Sequence, residues 1–304
     1  MKTPHIPVLL NEVLDSFKDL DDGYFVDCTL GYGGHSSEIL KNHSNINHIG
    51  IDRDIEALNF SKERLSPYSN RSTLYKGKFS NILPSLKEQP IKGVLADFGV
   101  SSLQLDKLDR GFGFDSDVLD MRMDRDEKTT AKDIVNNYSQ EKLEYIFNHY
   151  GEIKAYKKLA SAIIQTRASK EITTAKELSQ IALDNLYRGG KIHPATLMFQ
   201  AIRIEVNREL QEIELLLDTL EQSTPSGAII ALITFHSLED RLVKNRFKKW
   251  TTKCICDAHA IRCTCNKDND LGKIITKKPL IASKDELKIN PRSRSAKLRV
   301  FRFK

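Results

Sequence analysis

The sequence predicts an α/β protein with a doubly wound, mostly parallel sheet that is interrupted by an all-helical insert. Short apolar runs alternate with helical segments in residues 1–105 and return in residues 222–304, as in the βαβ units of parallel sheets. Residues 106–221 lose nearly all strand character and show helical spacing. We therefore predict a discontinuous α/β domain, 1–105 and 222–304, and a helical substrate-recognition domain, 106–221.

Apolar runs with β-branched and aromatic residues place the strands, and apolar residues at steps of three and four place the helices. In the last apolar run, residues 298–303, apolar and basic residues alternate, which predicts an edge strand. Apolar positions from Phe199 to Leu220 predict one long amphipathic helix, and Thr174 with Glu177 predicts a capping box. The predicted strands are 24–30, 48–51, 72–75, 93–96, 228–235 and 298–303, with helices at 8–17, 55–65 and 238–250.

Composition and charge narrow the class of protein. The chain has 304 residues, 40% of them hydrophobic, and a net charge of +6. No stretch approaches the roughly 18–20 apolar residues that cross a bilayer, and the first ten residues do not resemble a signal peptide, so we expect a cytoplasmic protein without a membrane partner. Residues 241–253 and 290–304 each hold six basic residues and no acid, which indicates either solvated basic faces or phosphate-contacting surfaces.

Four of the five cysteines form two pairs, Cys254 with Cys256 and Cys263 with Cys265. Four thiolates could hold a tetrahedral zinc ion, but zinc-binding pairs usually have two or more residues between their cysteines. Free thiols and a redox disulfide are the alternatives, and we assign no metal at this point.

A glycine-rich turn, 31–36, joins the first strand to a helix and is the first sign of a ligand site. The nicotinamide fingerprint needs a third glycine where this chain has Ser36, although Asp52 stands where that motif has its ribose-binding acid. S-adenosylmethionine has a ribose but no pyrophosphate, so its binding does not require the missing glycine. A nicotinamide-dependent oxidoreductase remains the rival interpretation.

Three more residues follow strand ends, where open α/β sheets bind ligands. Phe79 can flank an adenine, Asp97 ends the fourth strand, and Gln104 can donate a hydrogen bond in the same crevice. Taken singly, each has a structural alternative: a core ring, a helix-capping carboxylate and a solvated amide.

Motifs along nearly the whole chain resemble the bacterial small-subunit ribosomal RNA methyltransferase H family, also called MraW. Small departures occur, such as Leu197-Met198 after the HPAT motif, and they affect substrate contacts more than the cofactor motifs. The matching stretches are HIPVLL (5–10), DCTLGYGGHS (27–36), GIDRD (50–54), DFGVSSLQLD (97–106), RGF (110–112), LDMRMD (119–124), HPAT (193–196), FQAIRIEVN (199–207), TFHSLEDR (234–241) and NPRSRSAKLR (290–299).

The resemblance implies a Rossmann-like, S-adenosylmethionine-dependent enzyme that methylates the N4 amine of a cytosine in 16S ribosomal RNA of the small subunit. Its cofactor residues carry over to Gly33, Gly34, His35, Asp52, Phe79, Asp97 and Gln104. A non-catalytic RNA-binding assembly factor and a DNA amino-methyltransferase remain alternatives.

For the reaction we assign Asp97 as the acceptor of an amine hydrogen and His236 as a group that binds substrate or passes a proton, although a hydrogen-bonded structural histidine would explain His236 equally well. Phe98 could stack on the target base, although a core position would explain it equally well. The other predicted RNA contacts are basic: Arg203, Arg292, Arg294, Lys297 and Arg299.

Overall fold

A computed structural model of the chain describes residues 6–186, 193–256 and 262–304. The chain forms two compact units, one of Met1–Gly99 with Gln211–Lys304 and the other of Val100–Leu210. The unit boundaries thus fall six and eleven residues before the predicted ones at 105 and 221. Among the described residues, the helices are all too short or too polar to span a bilayer.

The first unit is built on a seven-stranded sheet of order β3-β2-β1-β4-β5-β7-β6. Neighbours among β1 to β5 pair in parallel, whereas β7 is antiparallel to both β5 and β6. This confirms the doubly wound, mostly parallel fold. The strands are β1 Gly23–Asp27, β2 Ile46–Asp52, β3 Ser72–Lys76, β4 Ile91–Asp97, β5 Ile229–Thr234, β6 Gly272–Ile274 and β7 Lys297–Phe303.

Alternate side chains of a strand point to opposite faces of a sheet, and here the side chains on both faces are apolar. Helices therefore cover both faces of this sheet. Ile230 and Leu232 of β5 pack in one cluster with Val243 and Phe247, while Ile229 packs in a second cluster with Val13, Ile39 and Leu58. Numbered along the chain, the helices of this unit are α1 Leu10–Ser16, α2 Gly34–Asn42, α3 Ile55–Arg64, α4 Phe79–Ile82, α12 Ser237–Trp250 and α13 Lys284–Ile289, with most of α11 Glu209–Ser223.

The prediction of an edge strand at 298–303 is wrong. β7 lies between β5 and β6, and its apolar side chains are buried on both faces. Arg299 is also buried, since its guanidinium pairs with Asp240 at 2.7 Å. The basic residue in the middle of the alternating pattern therefore reflects a buried ion pair, whereas Lys297 and Arg302 are partly exposed.

The second unit is helical and has its own apolar core. The predicted capping box is confirmed: Thr174 Oγ1 accepts the N–H of Glu177, whose carboxylate accepts the N–H of Thr174. The helices are α5 Ser102–Asp106, α6 Ala131–Asn137, α7 Gln140–His149, α8 Tyr156–Ser169, α9 Ala175–Asn185 and α10 Thr196–Asn207.

The long helix predicted from Phe199 to Leu220 is two helices. Arg208 adopts a left-handed conformation, φ 53°, that ends α10 before α11 begins. The apolar side chains of α11, including Ile213 and Leu217, pack in the core of the sheet. Because the apolar spacing continues across the break, periodicity alone could not locate the break. The predicted domain boundary at 221 therefore placed α11 in the helical domain, whereas most of α11 belongs to the first unit.

Candidate active site

From β1 the strands continue through β2 and β3 to one edge of the sheet, and from β4 they continue through β5 to the other edge. The strand order therefore reverses between β1 and β4. In open α/β sheets a ligand binds at the carboxyl ends of the strands beside such a reversal. β1 ends at Asp27 and β4 ends at Asp97, so the two carboxyl groups mark this position. Every residue of the candidate site described below, except where stated, belongs to the first unit.

The glycine turn is held in one conformation from both sides. Gly31 and Gly33 have φ of 52° and 67°, values that a residue with a side chain adopts only with strain. Ser61 Oγ donates to the carbonyl of Gly31 at 2.5 Å. A Cβ at Gly34 would lie 2.5 Å from Pro7 Cγ, so the first turn of α2 tolerates no side chain there.

Asp52 links the end of β2 to this turn. Its Oδ2 accepts the N–H of Gly31 at 2.7 Å, and its Oδ1 accepts the N–H of Asp54 at 2.8 Å. Burial raises the pKa of this carboxyl group. A carboxylate offers about four acceptor positions, so the two that remain can bind the hydroxyl groups of a ribose.

Asp27, which was not among the predicted site residues, fixes the other side of the turn. Its two oxygens accept from Ser36 Oγ at 2.6 Å and from the N–H of Thr29 at 3.1 Å. Burial nevertheless raises the pKa of Asp27 to about 6, because these hydrogen bonds do not offset the loss of water. Asp27 thus shapes the turn and adds negative charge beneath it.

Asp97, at the end of β4, has a backbone contact to the first strand–helix turn and a carboxyl group that is only partly satisfied. Its backbone N–H donates to Thr29 Oγ1 at 2.6 Å, and its Oδ2 lies 3.9 Å from His35 Nε2. Its Oδ1 is buried and has no hydrogen-bond partner among the residues that the structure describes. Burial, with the charges of Asp27 and Glu239, raises the pKa of Asp97 well above the usual carboxyl range.

His236 follows β5 and precedes α12, with its Nε2 3.1 Å from Glu239 Oε1. Glu239 is fully buried, and its Oε2 accepts the backbone N–H of Phe235 at 2.7 Å. Glu239 was also missed by the sequence interpretation. This pair lies at the carboxyl end of β5, the strand beside β4, so its negative charge acts on Asp97.

Two predicted aromatic contacts are buried in the core. Phe79 and Phe98 are 5% and 4% exposed, with ring centroids 6.4 Å apart. Both belong to the cluster that covers one face of the sheet. The burial of Phe98 favours its core alternative over stacking on a base.

Gln104 lies in the second unit, where it closes the capping box of α5. Its Oε1 accepts the N–H of Ser101 at 3.0 Å. The capping role explains its burial, and its contact with a cofactor stays a prediction.

The five predicted RNA contacts fall into two groups. Arg203, in the second unit, makes two hydrogen bonds to Glu209, and Arg299 makes two to Asp240. Their positive charge is therefore already compensated. Lys297 is 3.6 Å from Asp240 and half-exposed. Arg292 and Arg294 are exposed on the 3₁₀ turn Pro291–Ser295.

The sequence holds a signal for both missed acids. Asp27 ends a strand and is followed nine residues later by Ser36 in the helix, and Glu239 follows a strand end by five residues. Asp27 repeats the strand-end pattern that identified Asp52 and Asp97, whereas Glu239 lies in the first turn of α12. Their burial, which makes them electrostatically important, depends on the packing of the sheet.

Comparison with known proteins places the whole chain in one family. The profile described as the MraW methylase family matches residues 2–304. A protein of Sulfurovum sp. (strain NBC37-1) called ribosomal RNA small subunit methyltransferase H is 66% identical and covers 100% of this chain and 99% of its own length. Proteins of the same name from Wolinella succinogenes and Aliarcobacter butzleri are each 54% identical, with 100% of both chains covered. The chain belongs to the MraW methylase family.

Proposed function

We propose that this enzyme transfers a methyl group from S-adenosylmethionine to the exocyclic N4 amine of a cytosine in the 16S ribosomal RNA of the small subunit. Family membership and the names of its relatives support methyl transfer to small-subunit ribosomal RNA. The observation that carries the assignment of the chemistry is the buried, unpartnered Oδ1 of Asp97 at the strand-order reversal.

The glycine turn and Asp52 would hold the methyl donor. The unused acceptor positions of Asp52 suit ribose hydroxyl groups, and the glycines allow the backbone to approach the ligand closely. When bound, S-adenosylmethionine supplies an electrophilic methyl group on a cationic sulfur. The buried carboxyl groups of Asp27 and Asp97 provide the negative environment that such a cation needs.

Asp97 would act on the amine. The lone pair of a cytosine amine is delocalised into the ring, so the amine must be oriented and its hydrogen accepted as positive charge develops on nitrogen. Asp97 Oδ1 has free acceptor capacity for that hydrogen. A raised pKa makes its carboxylate a stronger proton acceptor, and a nearby cation restores the ionised form.

His236 and Glu239 would position the reacting groups rather than exchange protons with them. Glu239 is tied to the backbone at Phe235, and its other oxygen faces His236 Nε2. This arrangement fixes the chain after β5 and maintains a negative charge near Asp97. The catalytic role predicted for His236 becomes one of orientation in this proposal.

The exposed arginines of the 3₁₀ turn, Arg292 and Arg294, are the best placed of the five basic candidates to contact phosphates. Arg203 and Arg299 would instead stabilise the fold through their ion pairs. The target cytosine must be unstacked to be methylated, as is usual for enzymes that modify bases. The cytoplasmic location and the substrate-recognition role of residues 106–221 stay predictions.

The test is to incubate the purified chain with labelled S-adenosylmethionine and small subunits from cells that lack this methyltransferase. We expect label on one cytosine, retained at N4 when the nucleosides are separated and identified by mass spectrometry. Free 16S RNA, large subunits and a DNA duplex serve as matched substrates. Label on a different atom or on DNA would contradict the proposal, and donor binding without transfer to any substrate would favour a non-catalytic assembly factor.

A further inference from the structure

The four paired cysteines lie outside the proposed active site, between α12 and β6. We call Cys254, Cys256, Cys263 and Cys265 the cysteine cluster. All four are free thiols, although they come from two separate stretches of chain. One Sγ from each residue lies within 4.8 Å of every other, so the fold gathers four sulfur atoms at one point.

The distances between these sulfur atoms match the edges of a tetrahedron around one metal ion. The Sγ–Sγ separations are 3.8 Å for Cys254 and Cys263, 3.9 Å for Cys256 and Cys263, and 3.6 Å for Cys265 with both Cys254 and Cys263. Four sulfurs at about 2.3 Å from a central zinc stand about 3.8 Å apart. A disulfide would need about 2.05 Å.

Backbone N–H groups also donate to two of the four sulfur atoms. The N–H of Ile255, between the first two cysteines, donates to Cys265 Sγ at 3.4 Å. The N–H of Thr264, between the second two, donates to Cys256 Sγ at 3.3 Å. Each pair thus supports a sulfur of the other, as outer hydrogen bonds commonly support metal ligands. This reciprocal arrangement also explains why a single residue within each pair suffices.

We propose that the cysteine cluster binds one Zn²⁺ ion in a structural site. Four thiolates complete a tetrahedral shell and leave no position for water or substrate, so the ion takes no part in methyl transfer. Four thiolates and one Zn²⁺ carry a formal charge of minus two. Lys253, Arg262 and Lys267 neighbour the ligands in sequence and can compensate that charge.

The ion would close the connection that carries β6 to the sheet. Asn269 Nδ2 donates to the carbonyls of Lys253 and Cys265, both at 3.0 Å, and the N–H of Leu271 donates to Trp250 O at 2.7 Å. These bonds join the end of α12 to the start of β6. Because β6 contributes only three residues to the sheet, anchoring this connection is an effective way to keep it paired with β7.

The direct test is the metal content of the full chain. The protein is expressed without an affinity tag that binds metals, dialysed against metal-free buffer and analysed by elemental mass spectrometry and native mass spectrometry. We expect one zinc per chain, and a Cys254→Ser/Cys265→Ser variant to bind less than about a tenth of that. Cys28→Ala, which removes the buried thiol elsewhere in the same unit, is the matched control and should retain the zinc.

Because a double variant that fails to fold would also lose zinc, cobalt provides a second measurement on the natural chain. Zinc is removed with a thiol-reactive mercurial followed by a reductant, and Co²⁺ is added. A strong visible absorption of tetrahedral thiolate type, abolished by one equivalent of zinc, supports the site. Iron as the bound metal, disulfides in protein kept reduced, or four thiols that react with a thiol reagent equally fast with and without zinc would overturn the proposal.

Discussion

The carboxyl groups at the ends of β1 and β2 differ from the one at the end of β4. Asp27 and Asp52 each accept two hydrogen bonds from the chain around the glycine turn. Asp97 has a buried oxygen without a partner among the described residues and faces the negative charges of Asp27 and Glu239. The carboxyl oxygens of Asp27 and Asp52 are therefore already paired within the chain, whereas the unpaired oxygen of Asp97 lowers the stability of the fold.

The largest effect is expected for Asp97→Asn. The change keeps the shape but removes the proton acceptor, so the rate of methyl transfer should fall by about 10²–10⁴-fold. Binding of S-adenosylmethionine, measured by calorimetry, should change by less than about tenfold, or about 1.4 kcal/mol. Single-turnover transfer to small subunits measures the rate, with the exposed Asp285→Asn as control. Equal losses in the rate of methyl transfer and in the affinity for S-adenosylmethionine would show that Asp97 acts only as a cofactor ligand.

The pH dependence of the same reaction sharpens the role of Asp97. Only the ionised carboxylate accepts a proton, and its pKa is raised, so activity should fall as the pH drops through a value above the usual carboxyl range. A bound cation lowers that pKa. The acid limb of kcat/KM for the donor, which reports the free enzyme, should therefore lie at higher pH than that of kcat. Coincident limbs at ordinary carboxyl values would contradict this.

Asp27→Asn tests the electrostatic cost of the glycine-turn region. With a folded-state pKa of about 6 against 3.8, protonated Asp27 stabilises the fold fully below about pH 3.8, and this contribution is lost as the pH rises through about 6. Relative to Asp27→Asn, the natural chain should lose up to about 3 kcal/mol of unfolding free energy between pH 4 and pH 7. Urea denaturation across this range measures it. A difference that stays constant with pH would show that Asp27 titrates normally.

Asp52→Asn should affect donor binding instead of the chemical step. One amide oxygen cannot replace two carboxylate oxygens that face backbone N–H groups, so the donor Kd should rise by about 10–100-fold, corresponding to about 1.4–2.8 kcal/mol. The maximal rate at saturating donor should be nearly unchanged. A large loss of that rate would show that Asp52, like Asp97, acts in the chemical step.

The smallest effect is expected on the exposed basic turn. Arg294→Ala should weaken small-subunit binding a few-fold and reduce the slope of log affinity against log salt by about one. Arg299→Ala is the matched comparison, because its charge is paired with Asp240. It should lower the free energy of unfolding while leaving the salt slope nearly intact. The reverse result would assign the phosphate contact to Arg299.

The parts of the molecule that local sequence determines were predictable. The fold class follows from alternating strand and helix patterns, and all the predicted strands are present. The glycine turn and Asp52 follow from a strand–turn–helix order that confines them to the same end of the sheet. The capping box at Thr174 depends on four consecutive residues and was likewise predicted.

The remaining features depend on residues that are distant in sequence. The ion pair that buries Arg299 joins positions 59 apart, and the pairing of β6 with β7 makes an apparent edge strand an internal one. The left-handed Arg208 interrupts a helix without disturbing its apolar spacing. The spacing within the cysteine pairs argued against a shared metal, whereas their reciprocal backbone contacts become visible only in three dimensions.

The position of β7 determines when the sheet can be completed. β5 is buried along its whole length, yet one of its two neighbours is built from residues 297–303. Until those residues have been synthesised, β5 exposes an unpaired, apolar edge of the kind that recruits strands from other molecules. We therefore expect chains shortened before residue 297 to aggregate during production, even though the glycine turn, Asp97, His236 and Glu239 are already present.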